Sequence, residues 1–184
     1  MSIAAVILAA GFSRRLGRAK QTVEFAGEML VERAVRVARA AGLMQVIVVV
    51  NREAGFCERL EERGCLIVMN ELAEEGMASS IRRGVSAAWT LRASGVLLMT
   101  CDQVGLEVGH LQELVADPGR TAGSGYAGRV GIPAYFPAEK FGDLLVLQGD
   151  TGAKELLKGE RVVVDERLAV DVDTEADLAK LFRQ

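Results

Sequence analysis

Four short apolar runs, each separated from the next by a stretch with helical periodicity, constrain this chain more than any other feature. They lie at residues 3–10, 45–50, 66–69 and 96–100, and all are rich in Ile, Val and Leu. Runs this short, apolar on every face and ended by glycine or polar residues, suit strands buried on both sides of a parallel sheet. Between them, residues 28–41 (EMLVERAVRVARAA) space their apolar side chains as one helix face, with Gly42 placed as its C-cap. Residues 51–64 are polar, but Phe56 and Leu60 are spaced for a short helix. After the acidic loop 71–76, a helix from Met77 carries Ser79, Ser80, Ile81, Val85 and Trp89 towards Leu91, with Trp89 expected in the core. Strands and helices alternating in this way predict a three-layer α/β fold with a mainly parallel sheet and right-handed crossovers.

The second half is less regular. One helix is expected within 104–116, and 117–129 is rich in glycine and turns. Residues 130–136 read as a strand that Pro133 interrupts, hence an edge or bulged one. Helices are expected at 138–147 and 151–158, separated by Gly149-Asp150, with short strands at 161–164 and 168–172. A closing helix over 174–182 has Thr174 as its N-cap. No repeat or flexible linker divides the chain, so residues 1–184 are expected to form a single domain.

Composition excludes several classes. At 184 residues the chain can bury one sizeable core, and a net charge of -3 gives no global reason to expect nucleic-acid binding. Cys57, Cys65 and Cys101 are odd in number and lack metal-ligand spacing, which points to a reducing compartment without a disulfide framework. The amino terminus has no basic segment before its apolar run, and no run approaches the roughly 20 residues of a membrane span. A cytoplasmic location with no membrane contact is expected.

The loop after the first strand is the strongest chemical signal. The segment holds two glycines, Gly11 and Gly17, a serine and four cations, Arg14, Arg15, Arg18 and Lys20. Such a loop lies at the carboxyl edge of the sheet, where open α/β folds bind ligands, and glycine-freed N–H groups among cations suit a polyphosphate. It matches neither Walker A nor the dinucleotide fingerprint. A plain turn with solvated bases is the alternative, but it leaves four like charges crowded beside a buried strand. The segment Gly123-Ser-Gly-Tyr-Ala-Gly128 matches G-x-G-x-x-G by letter only, because turn residues precede it and a strand follows. Asp102 ends the fourth strand at the same edge and is a candidate Mg²⁺ ligand facing a triphosphate, an Asx-turn being the plainer reading. Asp171 and Asp173 end the last expected strand, and either could supply a second carboxylate. His110, the only histidine, has no nearby nucleophile or carboxylate partner in sequence and reads as a helix-surface residue.

The series Leu8-Ala9-Ala10-Gly11, Ser13, Arg15, Gly17, Lys20 resembles the signature of MobA-like nucleotidyltransferases. Its Ala-Ala-Gly form is similar to the MocA branch, the molybdenum cofactor cytidylyltransferases; the guanylyltransferase branch usually reads Leu-Ala-Gly-Gly. Further stretches match in order: 76–84 (GMASSIRRG), Cys101-Asp102-Gln103, Gly131-Ile-Pro133, 147–154 (LQGDTGAK) and 171–178 (DVDTEADL). Leu16 stands where methionine is usual, a volume-conserving change, and Val104 where proline is usual. The resemblance implies a Rossmann-like fold of the nucleotide-diphospho-sugar transferase type, with residues 1–103 binding nucleotide and 104–184 the acceptor. It implies transfer of CMP from CTP to the terminal phosphate of molybdopterin cofactor, releasing pyrophosphate, with Mg²⁺ as cofactor. Lys20, Arg15 and Asp102 are then catalytic, and Asp102 and Asp173 hold the metal. Leu8, Ala9, Ala10, Gly11, Ser13, Arg14, Gly17, Lys20, Asn70, Met77, Ser79, Ser80 and Gly84 bind nucleotide. Gln103, Gly131, Pro133, Gly149, Asp150 and Gly152 bind the acceptor. An apo-molybdoenzyme receiving the product is the expected protein partner, and a monomer is favoured. A nucleotidyltransferase of the same fold acting on another phosphate, such as a sugar phosphate, and a non-catalytic cofactor carrier are the alternatives.

Overall fold

In a computed structural model of the chain, the described residues are 2–12, 19–150, 152–170 and 177. The elements run β1 (Ile3–Ala9), a two-stranded hairpin of β2 (Glu24–Phe25) and β3 (Glu28–Met29), α1 (Leu30–Ala40), β4 (Gln45–Val50), α2 (Cys57–Glu62), β5 (Leu66–Met69), α3 (Met77–Thr90), β6 (Gly95–Thr100), α4 (Val108–Leu114), β7 (Ala122–Tyr126), β8 (Arg129–Pro137), α5 (Phe141–Leu145) and β9 (Arg161–Val164). Seven strands make one sheet in the order β5-β4-β1-β6-β8-β7-β9. The first four are parallel, β8 is antiparallel to both neighbours, and β9 is parallel to β7.

Strand alternation explains why the apolar runs carry no polar face. Ala5, Ile7 and Ala9 of β1 join Val46, Val48 and Val50 of β4 in the core beneath α1 and α4. Ala4, Val6 and Leu8 join Ile47, Val49 and the Ile81–Val85 stripe of α3 on the opposite side. The central strands β1 and β4 are therefore covered on both faces, and helices lie on the two sides of the sheet in three layers. The chain moves from β1 to β4 and β5 in one direction, then returns to place β6 on the other side of β1. That reversal makes a crevice at the carboxyl ends of β1 and β6, where Leu8 lies opposite Thr100.

Several local expectations are corrected. Glu28 and Met29 belong to β3, so α1 begins at Leu30, where Glu32 accepts from the Met29 N–H at 3.3 Å. The strand through Pro133 is bulged but is not at an edge. It lies between β6 and β7, and the register breaks between Gly123 and Ser124 so that Ile132 and Pro133 have no ladder partner. The turn-rich stretch 117–129 contains β7, where Gly123 and Gly125 are needed because Val130 and Val162 leave no room for a Cβ. Residues Glu166–Ala169 form a 3-10 turn where the described part of the strand expected at 168–172 begins, stabilised by the Asp165 carboxylate accepting from the Arg167 N–H. Trp89 is 58% exposed, because the buried stripe of α3 runs Ala78, Ile81, Val85, Ala88 and passes beside it. His110 is the opposite case, lying on the buried face of α4 with Leu111 and Leu114. Most of the expected closing helix 174–182 lies outside the described residues. All three cysteines are free, and no helix among the described residues is long and apolar enough to cross a membrane.

Candidate active site

The crevice between β1 and β6 opens into a cavity of about 390 Å³ lined by Leu8, Ala10, Gly11, Lys20, Gln21, Glu74, Met77, Ser80, Thr100, Asp102 and Asp150. A second cavity of about 300 Å³ adjoins it, lined by Gln103, Tyr126, Arg129, Gly131, Ile132, Gly152 and Lys154. The two share Met77, Thr100, Asp102 and Asp150. At this shared wall Lys20 Nζ lies 2.8 Å from Asp102 Oδ2, with side chains only 16% and 18% exposed. A cation from the first loop and a carboxylate from the end of β6 thus meet where both cavities open.

Side chains hold the backbone of the first loop. Gln21, 4% exposed, donates from Nε2 to Ala9 O at 2.7 Å and Gly11 O at 2.8 Å. Asn51, at the end of β4, donates to Ala10 O at 3.0 Å. Three successive carbonyls are thereby tied to N–H donors, which fixes the strand end and offsets its negative dipole ends beside the cavity. Sequence reasoning missed both residues. The rule that singled out Asp102, a polar residue just past a buried strand, would have found Asn51.

The start of α3 is built from both halves of the chain. Gly76 precedes the helix with φ 104°, and a Cβ there would meet Asp150 Oδ1 at 2.5 Å and Gly149 O at 2.8 Å. Asp150 Oδ1 accepts the Met77 N–H at 3.0 Å and Gly149 O accepts the Ala78 N–H at 3.1 Å, so the segment caps α3 from outside. Asn70 donates to the hydroxyls of Ser79 and Ser80 at 2.8 and 2.9 Å, and Ser79 donates to Gly76 O.

The expected site residues therefore divide. Leu8, Ala10, Gly11, Lys20, Met77, Ser80 and Asp102 line the first cavity, and Gln103, Gly131, Asp150 and Gly152 the second. Ala9, Asn70, Ser79 and Gly149 stand behind the walls and brace them. Gly84 lies away from both cavities, against Val6 and Val49 at the helix–sheet contact, where nothing larger fits. Pro133 follows a cis peptide bond and is not part of either lining. Ser13, Arg14, Arg15, Gly17, Asp171 and Asp173 lie outside the described residues.

Gln103 Nε2 and Tyr126 OH both donate to Ile132 O, at 3.2 and 3.0 Å, and Arg129 covers the Tyr126 ring at 4.9 Å. Cys101 borders the first cavity, but burial, and then the neighbouring Asp102, push its thiol up to about 12. It is a neutral thiol at pH 7 and no nucleophile. Asp102 is a hard oxygen donor on the wall that both cavities share, which fits a cation of the Mg²⁺ kind that takes one or two carboxylates and completes its shell with phosphate and water. Among the described residues no cluster of three or more His, Cys, Asp or Glu forms a cage for a metal without such help.

The model of the MobA-like NTP transferase domain matches residues 5–167. The purine catabolism protein PucB of Bacillus subtilis is 34% identical over 163 residues, 83% of this chain and 79% of that one. A probable molybdenum cofactor guanylyltransferase of Opitutus terrae is 30% identical over 113 residues, 61% of this chain and 54% of its own. The crystal structure of Rv0371c from Mycobacterium tuberculosis has a TM-score of 0.82 at 28% identity, covering 100% of this chain and 99% of that one. A complex of Rv0371c with manganese has a TM-score of 0.77 at 27% identity, covering 100% of each chain.

Proposed function

The chain belongs to the MobA-like NTP transferase family and is a nucleotidyltransferase, and on that premise we propose that it transfers CMP from CTP to the terminal phosphate of molybdopterin cofactor. One observation carries this reading: two cavities adjoin along a shared wall that includes Asp102, and Lys20 of the first cavity pairs with that carboxylate. A transfer between two substrates needs both held at once with their reacting atoms together, and such positioning is the largest part of catalysis for phosphoryl chemistry.

CTP occupies the first cavity, its phosphates along the loop that Gln21 and Asn51 hold, with Lys20 and Arg15 neutralising charge. The resemblance adds Ser13, Arg14 and Gly17 to the nucleotide's contacts. The Ala9-Ala10-Gly11 form of the first loop, similar to the cytidylyltransferase branch, supports cytosine as the base. The acceptor occupies the second cavity, where Arg129 and Lys154 suit its phosphate. Residues 1–103 thus serve the nucleotide and 104–184 mainly the acceptor, although Asp150 braces the nucleotide side. An acceptor phosphate oxygen attacks the α-phosphorus in line. One P–O bond forms, the bond to the β-phosphate breaks, and pyrophosphate leaves with the electron pair. Asp102, with Asp173, would hold Mg²⁺, which when bound supplies charge neutralisation on the phosphate oxygens. Asp102 also holds Lys20 at the shared wall. No covalent enzyme intermediate is required, in keeping with the neutral Cys101. The product would pass to an apo-molybdoenzyme.

The test is pyrophosphate release from CTP, GTP, ATP and UTP with molybdopterin cofactor as acceptor. CTP should be preferred, and Asp102→Ala should lose roughly a thousandfold in turnover while remaining folded. Near-normal turnover by that variant would remove Asp102 from the chemistry. Preference for GTP would reassign the base, and turnover only with a simple phosphate monoester would reassign the acceptor.

A further inference from the structure

Behind the second cavity, α4 and β7 bury a polar cluster that the transfer reaction does not touch. His110 Nε2 lies 2.7 Å from Ser124 Oγ, Ser124 Oγ lies 2.5 Å from Pro133 O, and His110 Nδ1 faces Asp165 Oδ2 at 3.7 Å. The residue types are those of a nucleophilic triad, but the protons and the burial exclude that role. Ser124 is wholly buried. Its single hydroxyl proton must go to Pro133 O, since two oxygens that close without a proton between them would repel. The contact to His110 is then an N–H donated by Nε2. At 3.7 Å the Asp165 carboxylate makes no hydrogen bond that would hold a second proton on Nδ1, so the geometry favours the neutral Nε2–H tautomer. Burial, which lowers the imidazole's pKa, agrees with that state. The Asp165 charge is met instead by Arg167, through Nε at 2.9 Å and Nη2 at 3.0 Å.

What this donor chain supports follows from the bulge. Ladder pairing of β8 to β6 ends at Ala134, and its pairing to β7 skips from Ala134 to Gly131. Ile132 and Pro133 are outside the ladder on both sides, and side chains take over: Gln103 and Tyr126 on Ile132 O, Ser124 on Pro133 O. Val130, Gly131 and Ile132 are wall residues of the second cavity.

We propose that His110 is a positioning residue for the acceptor cavity, setting through Ser124 and the Pro133 carbonyl where residues 130–132 stand. The proposal rests on the reading of the second cavity as the acceptor site. His110→Leu removes the donor, and His110→Gln retains an N–H at similar reach. With CTP and molybdopterin cofactor, His110→Leu should raise the acceptor KM about tenfold, an effect of the size of one lost hydrogen bond, and leave the CTP KM unchanged. His110→Gln should restore most of the loss. Equal changes in both KM values, or a glutamine variant no better than leucine, would overturn the proposal. Two further measurements need no acceptor. The single histidine should show the Nε2–H tautomer by ¹⁵N NMR in the wild-type protein at pH 7.5, and an Nδ1–H tautomer or an imidazolium would refute it. Amide exchange at 130–132 should quicken in His110→Leu and not in His110→Gln; no change in the leucine variant would also refute it. If the wild type does not use molybdopterin cofactor, the functional reading fails, while tautomer and exchange still decide the role of His110.

Discussion

Gly84→Ala separates binding from packing at a residue whose motif resemblance assigns it to the nucleotide. The glycine sits in α3 against β1 and β4, and an added Cβ would collide with Val6 Cγ1 and lie 3.1 Å from Val49 Cγ2. Both valines are fully buried, so neither can swing aside. Alanine gains about 1 kcal/mol over glycine in a helix interior. Overpacking costs roughly 1–3 kcal/mol, and the upper part of that range applies because normal carbon contacts are about 3.5–4.0 Å. The net expectation is a loss of about 1–2 kcal/mol, or a Tm lower by roughly 2–8 °C in a protein of this size. Urea and thermal unfolding followed by circular dichroism would measure it. Val6→Ala removes the colliding methyl, so the double variant should be more stable than the sum of the single losses by about 1–2 kcal/mol. The CTP KM should not move in either variant. A raised CTP KM at unchanged Tm would refute the packing account, and so would strictly additive stabilities.

Other expectations follow from the same contacts. Asp150→Ala removes the carboxylate that caps α3 and should cost about 1 kcal/mol, seen in thermal unfolding, with Asp150→Asn closer to wild type. The folded pKa of His110 is lowered by burial, so on acidification the unfolded chain takes up its proton first. Stability should therefore be full above about pH 6.5 and decline below it, and His110→Gln should abolish that slope in Tm against pH. Asp165 adds a separate acid limb: Arg167 holds its carboxyl low, so its contribution should be lost only as the pH falls below about 3.9. Cys101, with its thiol near 12, should resist iodoacetamide at pH 8 in the native protein and react in urea, read by mass spectrometry.

Much of the fold was legible because its first half obeys local rules. Runs such as 45–50 and 96–100 have no polar face, which only a strand covered on both sides can bury, and the intervening helices repeat at 3.6 residues. Asp102 was legible for a similar reason, as a charge placed directly after a buried strand. Lys20 was legible as a cation in a segment rich in glycine and arginine. Trp89 and His110 were misread because helical spacing gives the direction of a stripe but not its width. One residue beside the stripe of α3 is outside, and the one histidine of α4 is inside.

What the sequence alone determined was a three-layer α/β sheet with a cationic loop and a carboxylate at its carboxyl edge, since strand burial and glycine-bounded loops are local properties. What only tertiary structure decided was which distant groups meet. Lys20 and Asp102 are 82 positions apart, and Met77 and Asp150 are 73 apart. Neither pair shares an element whose periodicity could relate them. The reversal of strand order between β1 and β6 makes the first pair adjacent, and the return of residues 147–150 across α3 makes the second. Both depend on how whole layers pack, and packing energy is summed over many residues far apart in the chain.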